Sequence, residues 1–155
     1  MTEGEKSRLV AWNQEMRRVH ARLREALAVV REELDSGAAE KAGRDLLLFC
    51  RGFCTALTGH HEGEDRQLFP AIAADHPELR ETLRALEQDH SMIGHLLSDM
   101  RAAMNRDASP AELERHLEGI GAIMESHFRF EERKLMSVLE ELALDADPDE
   151  VLGNL

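Results

Sequence analysis

His60-His61-Glu62-Gly63-Glu64-Asp65-Arg66-Gln67-Leu68-Phe69-Pro70 continues a helical stripe, yet it replaces the stripe's apolar residues with an imidazole and an acid. Just upstream, Leu46, Cys50, Phe53 and Leu57 recur three and four apart, the rhythm of one helix face, and the same face next reaches His60 and Glu64. A four-residue step turns only about 40° around a helix, so both side chains point the same way. Later in the chain, His127-x-x-x-Glu131-Glu132-x-x-Leu135-Met136 repeats the device. Core-facing positions should be dry, and a bound metal ion is the best compensation for charge buried there.

The rest of the chain reads as the frame for these two segments. Breakers at Ser36-Gly37, Asp75-His76-Pro77 and Asn105 to Pro110 separate four runs with helical periodicity and few β-branched residues. The first, about residues 4–35, carries Leu9, Trp12, Met16, Val19, Leu23, Leu27, Val30 and Leu34. The second, about 44–70, ends or bends near Pro70. The third, about 77–104, opens on Pro77 and aligns Leu79, Leu83, Leu86, Ile93, Leu97, Met100 and Met104. The fourth, about 110–144, opens with Ser109-Pro110-Ala111-Glu112, a capping-box signature, and buries Leu113, Leu117, Ile120, Met124, Val138 and Leu142. Four long helices joined by short turns predict an all-α fold, an antiparallel up-down-up-down four-helix bundle. At 155 residues the chain is expected to be one domain, residues 1–155.

Followed strictly, every stripe meets a histidine: His20 one turn past Met16, His60, His90 after Leu86, and His127 after Met124. Counted from the turns, these positions and the two acids fall within about 5 Å of one level in an antiparallel arrangement, provided the first loop covers about residues 36–43. One histidine on an apolar face is usually a hydrogen-bonded core residue, but four histidines and two carboxylates at one level are costly to bury without an ion. His61 is ambiguous, able to reach the same ions or to orient a ligand. Asp65 and Glu132, about 140° from His60 and His127, suit the flank or an orienting role. His76, His95 and His116 fall outside the cluster. Mixed imidazole and carboxylate donors without thiolate suit iron, or less well manganese. Seven candidates exceed one tetrahedral ion and fit two octahedral ions that share carboxylates.

Composition narrows the function. A formal net charge of −12 repels nucleic-acid phosphates and anionic membrane surfaces, so neither is an expected partner. No run approaches the ~20 apolar residues of a membrane span, and Met1 to Arg8 is polar rather than an export signal, which predicts a cytoplasmic protein. Cys50 and Cys54 lack CxxC spacing and read as small core residues.

The combined pattern of His20, His60-His61-x-x-Glu64-Asp65-x-x-Leu68-Phe69-Pro70, Asp89-His90 and His127-x-x-x-Glu131-Glu132 resembles the hemerythrin-like, histidine-histidine-glutamate cation-binding family over about residues 9–142. The resemblance implies a non-haem di-iron centre bridged by two carboxylates and an oxo or hydroxo group. Carried over, His20, His60, His90 and His127 are terminal ligands, Glu64 and Glu131 bridges, and His61 a further ligand. Two departures stand out. Oxygen-carrying hemerythrins place another histidine where this chain has Gly94, and their helix-four acid usually sits five residues after the histidine, which would select Glu132. The expected partner is a small diatomic or peroxide ligand. Three functions follow: binding or sensing dioxygen, peroxide or nitric oxide; a peroxide-consuming, catalase-like or oxidase activity with unknown catalytic residues; and iron storage or iron-dependent regulation.

Overall fold

A computed structural model describes residues 10–35 and 43–153, with the side chains of residues 43–47 excepted. The described elements are α1 (Trp12–Asp35), α2 (Gly43–Gly63), a π-helical turn (Glu64–Leu68), α3 (Phe69–Asp75), a 3-10 turn (Pro77–Leu79), α4 (Arg80–Asn105), α5 (Pro110–Glu141) and α6 (Pro148–Leu152). The fold is all-helical, with no strand among the described residues. None of the helices is long and apolar enough to cross a membrane among those residues.

The stripes expected from periodicity form the core. Trp12, Met16, Val19, Leu23, Leu27, Val30 and Leu34 of α1 are buried, as are Cys50, Phe53 and Leu57 of α2 and Leu83, Leu86, Ile93, Leu97, Met100 and Met104 of α4. Leu9, the side chain of Leu46, the expected helix start near Gly4 and most of the first loop lie outside the described residues. α1 packs on α2 and α5, and α4 packs on α5 and α2. Partner numbers fall along one helix as they rise along the other: Arg24 pairs with Glu125 and Arg31 with Glu114, while Arg51 bonds Asn105 and Arg101 bonds Thr58.

Several boundaries differ from the sequence reading, each for a physical reason. Val10 and Ala11 are not helical, so the described part of the first helix starts at Trp12. The second run does not end at Pro70. Proline has no N–H to donate and its ring strikes the carbonyl four residues back, so the helix widens instead. Phe69 N–H reaches Glu64 O, one residue further than in an α-helix, and α3 continues to Asp75. Pro77 opens a 3-10 turn, and α4 proper begins at Arg80. At α5, Ser109 Oγ accepts from Glu112 N at 3.2 Å, but the Glu112 side chain turns to Arg106, leaving the capping box half made. α5 stops at Glu141, and its inward stripe near the end is Leu135, Leu139 and Leu142, with Val138 only partly buried on the flank. The short α6 was not expected; Asp147 caps it and Pro148 opens it.

Candidate metal centre

Seven titratable side chains meet where the stripes turn polar: His20 (α1), His60 and His61 (α2), Glu64 (start of the π turn), His90 (α4), His127 and Glu131 (α5). His20, His60, Glu64 and Glu131 are fully buried, and His61, His90 and His127 nearly so. They fall into two groups, His20-His60-Glu131 and His61-Glu64-His90-His127, in each of which the donor atoms lie within 4.8 Å of one another.

Four imidazoles share one orientation. Nδ1 of His20 bonds Glu132, Nδ1 of His90 bonds Asp65, Nδ1 of His127 bonds Asp89 and Nδ1 of His60 bonds the Leu152 carbonyl, at 2.8 to 3.0 Å. A carboxylate or carbonyl accepts, so Nδ1 carries the proton and the Nε2 lone pair turns inward. Partners of this kind fix the tautomer of metal-ligating histidines. Aromatic rings brace two of them: Phe128 stacks on His20 at 3.8 Å between centroids, and Phe69 lies over His90 at 5.5 Å.

Most of the inward atoms lack hydrogen-bond partners. Nε2 of His20, His60 and His61 and both oxygens of Glu64 and Glu131 are buried without one. Buried polar atoms are otherwise almost always satisfied, so this concentration points to an ion. His20 Nε2 stands 3.0 Å from Glu131 Oε1 without hydrogen-bond alignment, His60 Nε2 3.2 Å from Glu64 Oε1, and His90 Nε2 3.0 Å from His127 Nε2. Adjacent ligands at ~2.1 Å from an octahedral ion are about 3 Å apart, so the donor set fits a transition-metal cation.

Without a cation these groups titrate abnormally. Burial, helped by Glu131, holds the Glu64 carboxyl well above the usual range. Glu131 is also buried, but its contacts with His20 outweigh burial and hold it low. Burial and the nearby His20 push His60 down to about 3. Burial and His90 push His61 well down. Burial lowers His127 despite the opposing charge of Glu131. His20 goes up, because Glu131 and Glu132 together overcome its burial. A bound cation inverts this logic by favouring ionised carboxylates and neutral imidazoles.

Every residue singled out as a ligand in the sequence is brought together here. His61 lies in the cluster, stacked on His90 at 3.9 Å. Glu131 faces inward, whereas Glu132 stays at the rim behind His20. Asp65 also stands outside, behind His90. His95 is exposed, and His76 and His116 are partly buried elsewhere. Sequence reasoning missed Asp89 as a partner of His127, although Asp89 adjoins His90, and it missed the Leu152 carbonyl, for which no side-chain signal exists. A cleft of about 220 Å³ bordered by Thr58, Asp65, Ser91 and Gly94 reaches His61 and His90. A Cβ on Gly94 would meet nothing within 4 Å. A larger cleft of about 690 Å³ between α4 and α5 borders the centre only through Asp89 and is not its mouth.

A buried layer of inward imidazoles and orphaned carboxylates on long helices defines a cation-binding helical protein. Residues 13–139 match the family model for the hemerythrin HHE cation binding domain, and the chain belongs to that family. No curated protein and no solved structure is significantly similar to it.

Proposed function

We propose that this chain is a non-haem di-iron protein whose iron pair, bridged by Glu64 and Glu131, binds or senses dioxygen, peroxide or nitric oxide. On this reading residues 1–155 form one domain, and the four long helical runs pack up-down-up-down as an antiparallel bundle, which the opposed order of their pairings supports. The observation that carries the reading is that each buried carboxylate adjoins both groups. Glu131 Oε1 is 3.0 Å from His20 Nε2 while its Oε2 is 3.7 Å from His127 Nε2. Glu64 Oε1 is 3.2 Å from His60 Nε2 and 3.5 Å from His90 Nε2. A single ion would leave orphaned atoms in one group, whereas two ions sharing the carboxylates use both.

Bound iron would supply the electrons for small-molecule redox chemistry. The protein's own contribution is orientation and exclusion. Glu132, Asp65, Asp89 and the Leu152 carbonyl aim the imidazoles. Phe128 and Phe69 cover His20 and His90, and the cleft at Gly94 gives a small ligand a route to His61 and His90.

Metal analysis of freshly purified protein with its visible spectrum tests the proposal. About two irons per chain and ferric absorption that changes reversibly on oxygen cycling are expected; a single zinc, or no metal after anaerobic iron loading, would refute it. One observation favours an enzyme as the second reading. Asp65 and Asp89 are more than a third exposed while bonded to buried histidines, which offers proton paths between water and the centre. Sustained peroxide loss with iron-loaded protein, absent in His90→Ala, would select that reading.

A further inference from the structure

We propose that the C-terminal strap, residues 142–153, is a positioning element for the centre: through the Leu152 carbonyl it holds His60 with Nε2 turned inward. The His20-His60-Glu131 group thereby depends on a segment that begins beyond the family match, which ends at residue 139. The positioning of His60 stands on geometry alone; its consequence for metal rests on the di-iron reading.

After α5 the chain folds back over the ends of α1 and α2. Trp12 Nε1 donates to Leu144 O at 3.0 Å, and Leu144 and Ala146 pack against the core. The Asp147 side chain accepts from Asp149 N and starts α6. α6 lies on α2 and on the π turn, with Val151 and Leu152 fully buried. Two glycines make the close approach possible. A Cβ on Gly63 would stand 2.0 Å from Val151 O, so only glycine lets the strap lie there. Gly153 has φ +95°, and a Cβ on it would sit 3.2 Å from His60 N. These contacts bring Leu152 O to 2.8 Å from His60 Nδ1.

The other three oriented imidazoles are held by carboxylates on the long helical runs; His60 is held by this five-residue helix. The Leu152 carbonyl cannot donate, so it selects the Nδ1–H tautomer and leaves the Nε2 lone pair toward Glu64 and His20. A strap that lifted away would expose His60 to water and free its ring to rotate.

The test uses full-length Val151→Asp, which places a charge in the strap's buried contact; Asp147→Ala, which removes only its cap; and Val151→Ile, which keeps it apolar. Imidazole nitrogen NMR of the metal-free proteins reads each tautomer and its proton exchange, and iron per chain is measured after loading. In Val151→Asp we expect His60 Nδ1–H to exchange roughly a hundredfold faster, with His20, His90 and His127 unchanged. Asp147→Ala should move it about fivefold in the same direction, and Val151→Ile should behave as wild type. Iron should fall toward about one per chain in Val151→Asp, with the His61-Glu64-His90-His127 group retained. Unchanged exchange at His60 in both disruptive variants, or equal acceleration at all four histidines in Asp147→Ala, would overturn the proposal. If Val151→Asp unfolds, Asp147→Ala decides alone. A wild-type protein with protected His60 Nδ1–H that takes up no iron leaves the positioning intact and sinks the di-iron reading instead.

Discussion

Two stretches of the second helical run bury potential ligands at the same four-residue spacing with opposite energetic results, Cys50 and Cys54 within α2 and His60 and Glu64 where α2 passes into the π turn. Cys50 and Cys54 are fully buried and free, and burial together with the neighbouring Cys54 pushes the Cys50 thiol up to about 11. A neutral thiol is a small hydrophobe and asks for no partner. His60 and Glu64 are equally buried, yet their inward atoms have no hydrogen bond. In the thiol layer each side chain stabilises the fold by leaving water. In the imidazole layer the unpartnered Nε2 of His60 and the Glu64 oxygens cost the fold stability that a cation would restore. Substitutions should therefore change sign between the two layers and, within the polar layer, between metal-free and loaded protein.

The largest effect should separate Glu131 from Glu132. Glu131 is buried between His20 and His127, whereas Glu132 reaches the outer nitrogen of His20 and the Arg24 guanidinium at the rim. Glu131→Ala is expected to weaken iron binding by well over ~100-fold, and Glu132→Ala by about 10- to 100-fold, the range typical of a group that orients a ligand. Iron titration of both variants gives the ranking; the reverse order would mean that Glu132, not Glu131, is the ligand.

In the apolar layers the effect should fall on stability alone. Leu57 and Leu97 are buried, and truncating either to Ala should cost about 2–5 kcal/mol by lost burial and the cavity left behind. Denaturant melts measure this, and iron per folded chain should stay unchanged. Iron lost in proportion to stability would merge the two layers into one cooperative site.

Glu64→Gln should show the opposite sign. The folded chain holds Glu64 protonated above the usual range, so its contribution to stability is full below the unfolded carboxyl pKa and is lost as pH rises through the folded one. The amide avoids that loss. Metal-free Glu64→Gln is thus expected to be more stable than wild type by about 1–3 kcal/mol at neutral pH, with the advantage vanishing near pH 4. Iron-loaded wild type should be the more stable of the loaded pair. Melts at several pH values, with and without iron, would refute the sign argument if the variant were weaker in both states.

The layers were unequally legible in the sequence. Apolar stripes and their polar interruptions follow one helical period, so residue spacing alone places Leu57, His60 and Glu64 on one face. The π turn could not be located, because its signature is a backbone bond from Phe69 to Glu64 rather than a side-chain pattern. Five residues of α6 are too few for periodicity, although Asp147-Pro148-Asp149-Glu150 carries a helix-start signal. Spacing places Val138 in the buried stripe, but packing buries its neighbour Leu139 and leaves Val138 on the flank. The Leu152 carbonyl leaves no trace in residue identity at all.

The smallest expected effect returns to the cysteines. Cys50→Ala removes one buried sulfur from a layer that Phe53 and Leu57 also fill, so it should cost only about 1 kcal/mol and leave iron content unchanged. The raised thiol pKa adds a signature in pH. A thiol that titrates later in the folded chain than in the unfolded one supports the fold below the ordinary thiol range, and that support is lost as pH rises toward about 11. Wild type should therefore lose more stability than Cys50→Ala between pH 8 and pH 11, and iodoacetamide should label the native thiols slowly at pH 8 because the neutral form is protected. Rapid labelling, or iron lost in Cys50→Ala, would make the thiol layer a second reactive site and erase its contrast with the imidazole layer.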